Sequence, residues 1–331
     1  MNQPEKMNLP GIFIQDEISI FTDHKILLGA RYDYNSIHGS IFTPRFAYKW
    51  KISDTSLLRL NAGTGFRVVN LFTEDHAALT GARDIVIVSD LKPEKSYNVN
   101  LNFLKKFYFN SGSSLGIETT AFYTYFNNKI VPDYTTHTTQ IRYNNINGFA
   151  VSKGISLNTD ISLIDGPKLI LGATLMDNTV TQNDVKEQQM LTEKFTAIWN
   201  VSYTIQPLHL NIDYIGNLYS PMHLPLLGEL DPRRAKSSWW SLQNIQFTYQ
   251  GIKKWEIYAG VKNILNWTPN RKNPFIIARS HDPFNQNVIF NTNGTPILTA
   301  ENPYALTFDP SYVYAPNQGI RGFLGVRFKL N

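Results

Sequence analysis

Residues 94–103 read EKSYNVNLNF, and from position 96 onward the alternation is unbroken. Tyr97, Val99, Leu101 and Phe103 interleave with Ser96, Asn98, Asn100 and Asn102. A backbone of period two sends the two sets to opposite faces. One face is apolar and the other small and polar. Such a strand suits a soluble half-buried sheet, and equally a wall between lipid and a wet lumen.

The pattern recurs along the chain. In 155–163, Ile155, Leu157, Thr159, Ile161 and Leu163 oppose Ser156, Asn158, Asp160 and Ser162; in 208–214, Leu208, Leu210, Ile212 and Tyr214 oppose His209, Asn211 and Asp213. In 57–66, Leu58, Leu60, Ala62 and Phe66 oppose Arg59, Asn61, Gly63 and Gly65; at the end, Ile320, Leu324, Val326, Phe328 and Leu330 oppose Arg321, Arg327 and Lys329. These signals predict strands near 11–21, 25–34, 41–51, 55–66, 95–109, 114–128, 145–164, 167–182, 192–206, 208–218, 238–250, 254–266 and 319–330. Many are as long as the roughly 9–11 residues that a tilted strand needs to cross a bilayer. Strands of soluble proteins centre on about five or six. In 239–249, Trp240 and Leu242 fall out of phase with Ile245 and Phe247, which predicts a bulge or an extension beyond the membrane.

Connections alternate between short and long. TDH, SDT, NSGSS, DGP, QP and GIKK fall on one rim; NSIHGS and five longer segments fall on the other. Outer-membrane barrels sort their connections in this way, with short periplasmic turns and longer external loops. The expected fold is therefore all-β, a transmembrane antiparallel up-and-down barrel. With the last strand ending inward, alternation gives about thirteen strands, an odd number where single-chain bacterial barrels have even ones.

Composition excludes several classes. The apolar run 85–88 is far shorter than the roughly 20 residues of a membrane-spanning helix. There is no cysteine for a disulfide or thiolate metal site, and a net charge of +5 without long basic runs gives nucleic-acid binding no support. Aromatics are abundant, with 17 Tyr, 20 Phe and 6 Trp, as suits strands and wet–apolar interfaces. The opening MNQPEKMNLP has neither a basic nor an apolar signal region. Together with the odd strand count, this sets the expectation that 1–331 is the C-terminal portion of a larger barrel.

Residues 59–103, RLNAGTGFRVVNLFTEDHAALTGARDIVIVSDLKPEKSYNVNLNF, resemble the central barrel signature of TonB-dependent outer-membrane receptors. FIQDEISI (13–20), LLGARYDY (27–34), FTPRFAYKW (42–50), GVKNILNWTP (260–269) and YVYAPNQGIRGFLGVRF (312–328) resemble further family segments in the family's order, the last as in Bacteroidetes-type receptors. The resemblance implies a parent barrel of about 22 strands, with a plug domain and signal peptide that are not among these residues. It implies a bacterial outer-membrane location and active uptake of a scarce bulky ligand. A ferric siderophore is the first expectation, and the energy comes through a TonB complex that reaches the barrel via the N-terminal plug. Cobalamin or haem uptake, or a passive porin, are the alternatives. Outer-membrane lipid and lipopolysaccharide are expected partners, and no cofactor or enzymatic activity is expected.

In-phase counting turns Arg59, Gly63, Gly65, Asn98, Asn100, Asn102, Arg321 and Arg327 toward the lumen. Arg67, at the external rim, faces either ligand or plug, or pairs with a carboxylate of a neighbouring strand; Asn61 lies on the same face. Gly63 and Gly65 either admit a plug backbone or bend the strand. Candidate ligand contacts in external loops are Glu74, His76, Tyr134, His137, His223, Arg271, Arg279 and His281. Those histidines lack metal-site spacing. Segment 74–84 holds Glu, Asp, His and Arg without a nucleophile–base arrangement. The mixture of basic and aromatic residues in 269–290 suits an anionic aromatic chelate, and suits lipopolysaccharide phosphates equally. Trp239, Trp240, Trp255 and Trp267 are expected to mark the bilayer edges.

Overall fold

A computed structural model describes residues 8–68, 84–134, 136, 140–225, 234–269, 289, 291–293, 297–300, 314–316 and 318–329. These fall into two compact units, one built from 1–69, 91–130 and 145–187, the other from 70–90, 131–144 and 188–331.

The first unit is an antiparallel meander. Its strands are β1 (Gly11–Phe21), β2 (His24–Asn35), β3 (Gly39–Ser53), β4 (Ser56–Arg67), β6 (Glu94–Tyr108), β7 (Ser114–Asn127), β10 (Gly148–Ser162) and β11 (Lys168–Gln182). They pair in that order. In the second unit β13 (Phe195–Ile205), β14 (Leu210–Tyr219), β15 (Trp240–Ile252), β16 (Trp255–Lys262) and β17 (Arg321–Phe328) also pair consecutively and antiparallel. No described helix is long and apolar enough to cross a membrane.

Each of these long strands falls within a residue or a few of an expected one. The all-β, up-and-down architecture is thus the one the alternation predicts. Four short strands were not expected: β5 (Asp84–Ile87), β8 (Ile130–Asp133), β9 (Gln140–Asn145) and β12 (Val185–Gln188). Three of them form a separate sheet, ordered β5-β9-β8, in which β5 and β9 run parallel. β12 pairs with β11. Four to six residues are too few to display a period, and their partners lie far off in sequence.

One connection differs from its expected class. Segment 35–40, read as an external loop, is a tight hairpin between β2 and β3. The buried Asn35 accepts from the Ile37 and His38 backbone N–H groups at 2.8 and 2.9 Å, and Gly39 takes φ +77°. That positive φ is the reason a glycine serves there.

The burial pattern runs opposite to that of a soluble sheet. On β6, Tyr97 is 52% exposed and Leu101 45%, while Asn102 is only 8% exposed. Ile14, Leu28, Phe42, Ile155 and Leu175 stand open on the same side of their strands. Polar side chains on the other side pack against one another. Aromatics collect at both ends of the open face. Near the short turns, His24 stacks on Trp50 and Tyr48 at 5.5 and 5.9 Å, with the Phe21 ring edge-on at 5.7 Å. Near the long connections, Tyr125 lies 6.5 Å from Tyr97 and 5.4 Å from Phe149.

Candidate functional site

The polar face of the first unit carries its charges in register. Lys25 stands opposite Lys49, and Lys49 opposite Arg59, so three cations share one row across β2, β3 and β4. Like charges directly opposite one another repel. Acids relieve the two ends of the row: Lys25 Nζ donates to Glu17 at 2.6 Å, and Arg59 lies 4.0 Å from Glu118 and donates to Asn102 Oδ1 at 3.2 Å. Asn102 in turn donates to Glu118 and Thr120 at 2.8 Å. Lys49, in the middle, has no ion pair among the described residues.

Arg45 lies on the same face, and two glycines make room for it. A Cβ on Gly29 would sit 2.8 Å from Arg45 Cγ, and one on Gly63 would sit 3.5 Å from Arg45 Cβ. Gly63 therefore admits a neighbouring arginine, a use that reading β4 alone does not reveal. Gly65 faces Ser96, whose Oγ would be 2.9 Å from an added Cβ.

At the outer end of this wall Arg67 Nε donates to Glu94 Oε2 at 2.7 Å. Glu94 is buried and its other oxygen accepts the Ile130 backbone N–H at 2.8 Å. One carboxylate thus ties β4, β6 and the exit of β7 together. Lys129 lies 4.9 Å over the Phe126 ring; burial pushes its ammonium below the usual lysine value while Glu94 pulls the other way. Asn145 secures the neighbouring chain, donating to the Lys92 and Asn128 carbonyls at 2.9 and 2.7 Å and accepting from Lys92 N at 2.8 Å.

The second unit holds an aromatic cluster at the corresponding end. Trp240 stacks on Tyr219 at 4.0 Å and on Trp267 at 5.0 Å, with Tyr314 tilted at 6.2 Å. Met222 and Leu224 complete it. This explains the phase break in β15. No bulge separates Trp240 from Tyr249, which pair continuously with β14, so Trp240 and Leu242 lie on the face opposite Ile245 and Phe247. Trp239 and Trp255 are exposed, but Trp240 and Trp267 are packed in the cluster and do not mark a bilayer edge.

Asn263, buried with φ +52°, braces the exit of β16: it donates to the Trp267 and Gln318 carbonyls at 2.6 and 3.0 Å and accepts from Trp267 N at 3.0 Å. Asn266 Oδ1 accepts from Ile320 N at 2.9 Å, fixing the approach to β17. At the short-turn end Glu256 is buried beneath Arg327 at 2.9 Å and Lys329 at 2.5 Å.

The expected site residues are only partly assembled. Arg59, Asn61, Gly63, Gly65 and Arg67 share one face of β4, and face Asn102, Asn100, Asn98, Ser96 and Glu94 in register. Arg321 and Arg327 share one face of β17. His223 bridges to Lys236, and its carbonyl accepts from Leu191 N at 2.9 Å. Burial, followed by Lys236 and Lys194, pushes its imidazole below the usual value. Tyr134 follows β8 in the second unit. Glu74, His76, His137, Arg271, Arg279 and His281 lie outside the described residues. Lys49, Arg45 and Glu94 were not singled out from the sequence, because cross-strand register brings them into play.

Comparison with known proteins follows from this geometry. Residues 2–264 match the family described as "TonB dependent receptor-like, beta-barrel". No curated protein sequence matches the chain. Among solved structures, it is similar to the siderophore receptor PirA from Acinetobacter baumannii, with 16% identity, a TM-score of 0.61, and coverage of 78% of this chain and 42% of that one. It is similar to a variant of the ferric enterobactin receptor PfeA from Pseudomonas aeruginosa, with 14% identity and a TM-score of 0.61, covering 97% and 44%. The FrpB iron transporter from Neisseria meningitidis aligns at 14% identity and a TM-score of 0.57, covering 79% and 41%. The chain spans less than half the length of each, and at these identities the likeness is one of fold.

Proposed function

Because the chain belongs to the TonB-dependent receptor β-barrel family, whose barrels are outer-membrane transporters rather than enzymes, we propose that it forms wall and loop segments of a ferric-siderophore receptor energised through TonB. The exposed apolar face meets lipid, and the polar face carrying Arg59, Asn61, Asn98, Asn100 and Asn102 lines the lumen. A plug domain is the partner through which TonB acts. The similarity to siderophore and iron receptors supports this choice of ligand class.

The observation that carries the reading is the row Lys25–Lys49–Arg59, with Arg45 beside it. Mutually repelling cations on a half-buried wall are what an anionic chelate, or the acidic groups escorting it, would neutralise. Arg67 and the aromatic cluster around Trp240 add the donor and ring chemistry that anionic aromatic ligands recognise.

The test is growth of a gene-deletion strain under iron limitation, supplied in turn with a ferric catecholate, haem or cobalamin. The reading predicts loss of growth on the ferric catecholate, restored by the intact gene and restored poorly by a Lys49→Glu, Arg45→Glu variant. Undiminished ferric-catecholate growth with loss of haem or cobalamin use would reject it.

A further inference from the structure

The open apolar face of the first unit is not flat. Ile14 stands opposite Ala30 and Ala30 opposite Pro44, and in the adjacent row Asp16, Leu28, Phe46, Ala62 and Val99 face one another in turn. Short side chains at Ala30, Pro44, Ala62 and Thr64 sit between the longer Leu28, Phe46 and Tyr97. They leave a largely apolar groove of about 740 Å³. That size falls within the roughly 300–1,000 Å³ of pockets that take lipid-sized ligands.

The groove has a charge direction. Lys95 lies two residues beyond Tyr97 on the same face of β6, at the end near the long connections, and it is exposed. Other cations on this face are engaged: Lys105 donates to Thr55 and Ser56 at 3.1 and 2.8 Å, and Lys153 lies 4.0 Å from Asp177. Lys95 forms no ion pair among the described residues. Asp16 sits at the far side on β1, four strand spacings or about 19 Å away. An anionic headgroup is therefore attracted at the β6 end and repelled at the β1 end, while the trough between accepts hydrocarbon.

We propose that this groove seats an acyl chain of an anionic outer-leaflet glycolipid, with the lipid phosphate held by Lys95. The proposal rests on the open apolar face being lipid-facing with the long connections outside. A phosphorylated, multiply acylated glycolipid is the anionic lipid of that leaflet, and it supplies both the chain and the charge.

Native mass spectrometry tests it on the full chain extracted from outer membranes in mild detergent, with added lipid A, dephosphorylated lipid A or phosphatidylglycerol. Lipid A is expected to be retained selectively. Lys95→Gln should weaken retention about tenfold, as loss of one charge-assisted hydrogen bond implies. Ala62→Phe, which fills the groove, should also lose the lipid, and Lys153→Gln should keep it. Equal retention by the Lys95→Gln variant overturns the proposal, as does binding of dephosphorylated lipid A or phosphatidylglycerol as tightly as lipid A. Release of the chain from membranes by salt without detergent would instead overturn the lipid-facing premise beneath it.

Discussion

Asn100 and Leu101 are adjacent in sequence and opposite in surroundings. Leu101 stands open among apolar neighbours, whereas Asn100 lies in a polar row facing Asn61. In a bilayer, Leu101→Arg should cost about 2–4 kcal/mol near the midplane, while Asn100→Arg should change stability little; reversible urea unfolding in lipid vesicles measures both. Glu94 carries a second expectation. Glu94→Ala leaves the buried Ile130 N–H without its acceptor, a loss of about 1–3 kcal/mol, seen as faster proteolysis at the exit of β7. His223 supplies a pH response. Its folded pKa lies below the usual 6.5, so the unfolded chain takes up a proton first as pH falls. Stability from this group is intact above that value and declines below it. Thermal unfolding should thus come earlier at about pH 5.5 than at about pH 7.5, and His223→Gln should flatten the difference. At this scale the sequence shows which residues share a face, since parity is local. It does not show that Arg67 meets Glu94 or that Arg45 lies over Gly29 and Gly63. Register between strands decides those contacts, and register belongs to the folded sheet.

Strands are where the sequence is most legible. β6 and β10 announce themselves because one face must be apolar along its full length, and a one-residue slip would invert every side chain. β5, β8, β9 and β12 are illegible for the opposite reason: a strand of four to six residues formed between distant loops has no room for a period. β15 is instructive because its apolar residues change face where Trp240 leaves the open side and stacks between Tyr219 and Trp267. Trp240→Ala should cost about 3–5 kcal/mol locally by the measure of buried aromatic truncations, loosening the 220–225 segment while β15 keeps its pairing. Hydrogen exchange resolved along the chain distinguishes these outcomes. In the row across β2–β4, Lys49→Gln should remove repulsion and raise stability by a few tenths to about 1 kcal/mol. Under the proposed function it should also slow ferric-siderophore uptake, a gain in stability at the expense of activity.

Family membership, strand order and the inverted burial of the two faces describe one kind of molecule, a wall whose greasy side is outermost. The alternation of short turns with long connections is visible in the sequence and holds in the structure, except at the tight hairpin closed by Asn35 and Gly39. The long connections are where sequence reasoning stops. They hold most of the expected ligand contacts, and their loop residues carry no periodic signal that would place them. The central claim, that the open face meets lipid and the polar face meets water, has a direct test on β6. The chain contains no cysteine, so single cysteines at positions 97 to 103 can be spin-labelled without altering any other site. In outer-membrane vesicles, labels at 97, 99, 101 and 103 should be quenched by oxygen dissolved in lipid, and labels at 98, 100 and 102 by a water-soluble nickel chelate. Uniform access of the nickel chelate to all seven positions, or alternation in the opposite phase, would contradict the account.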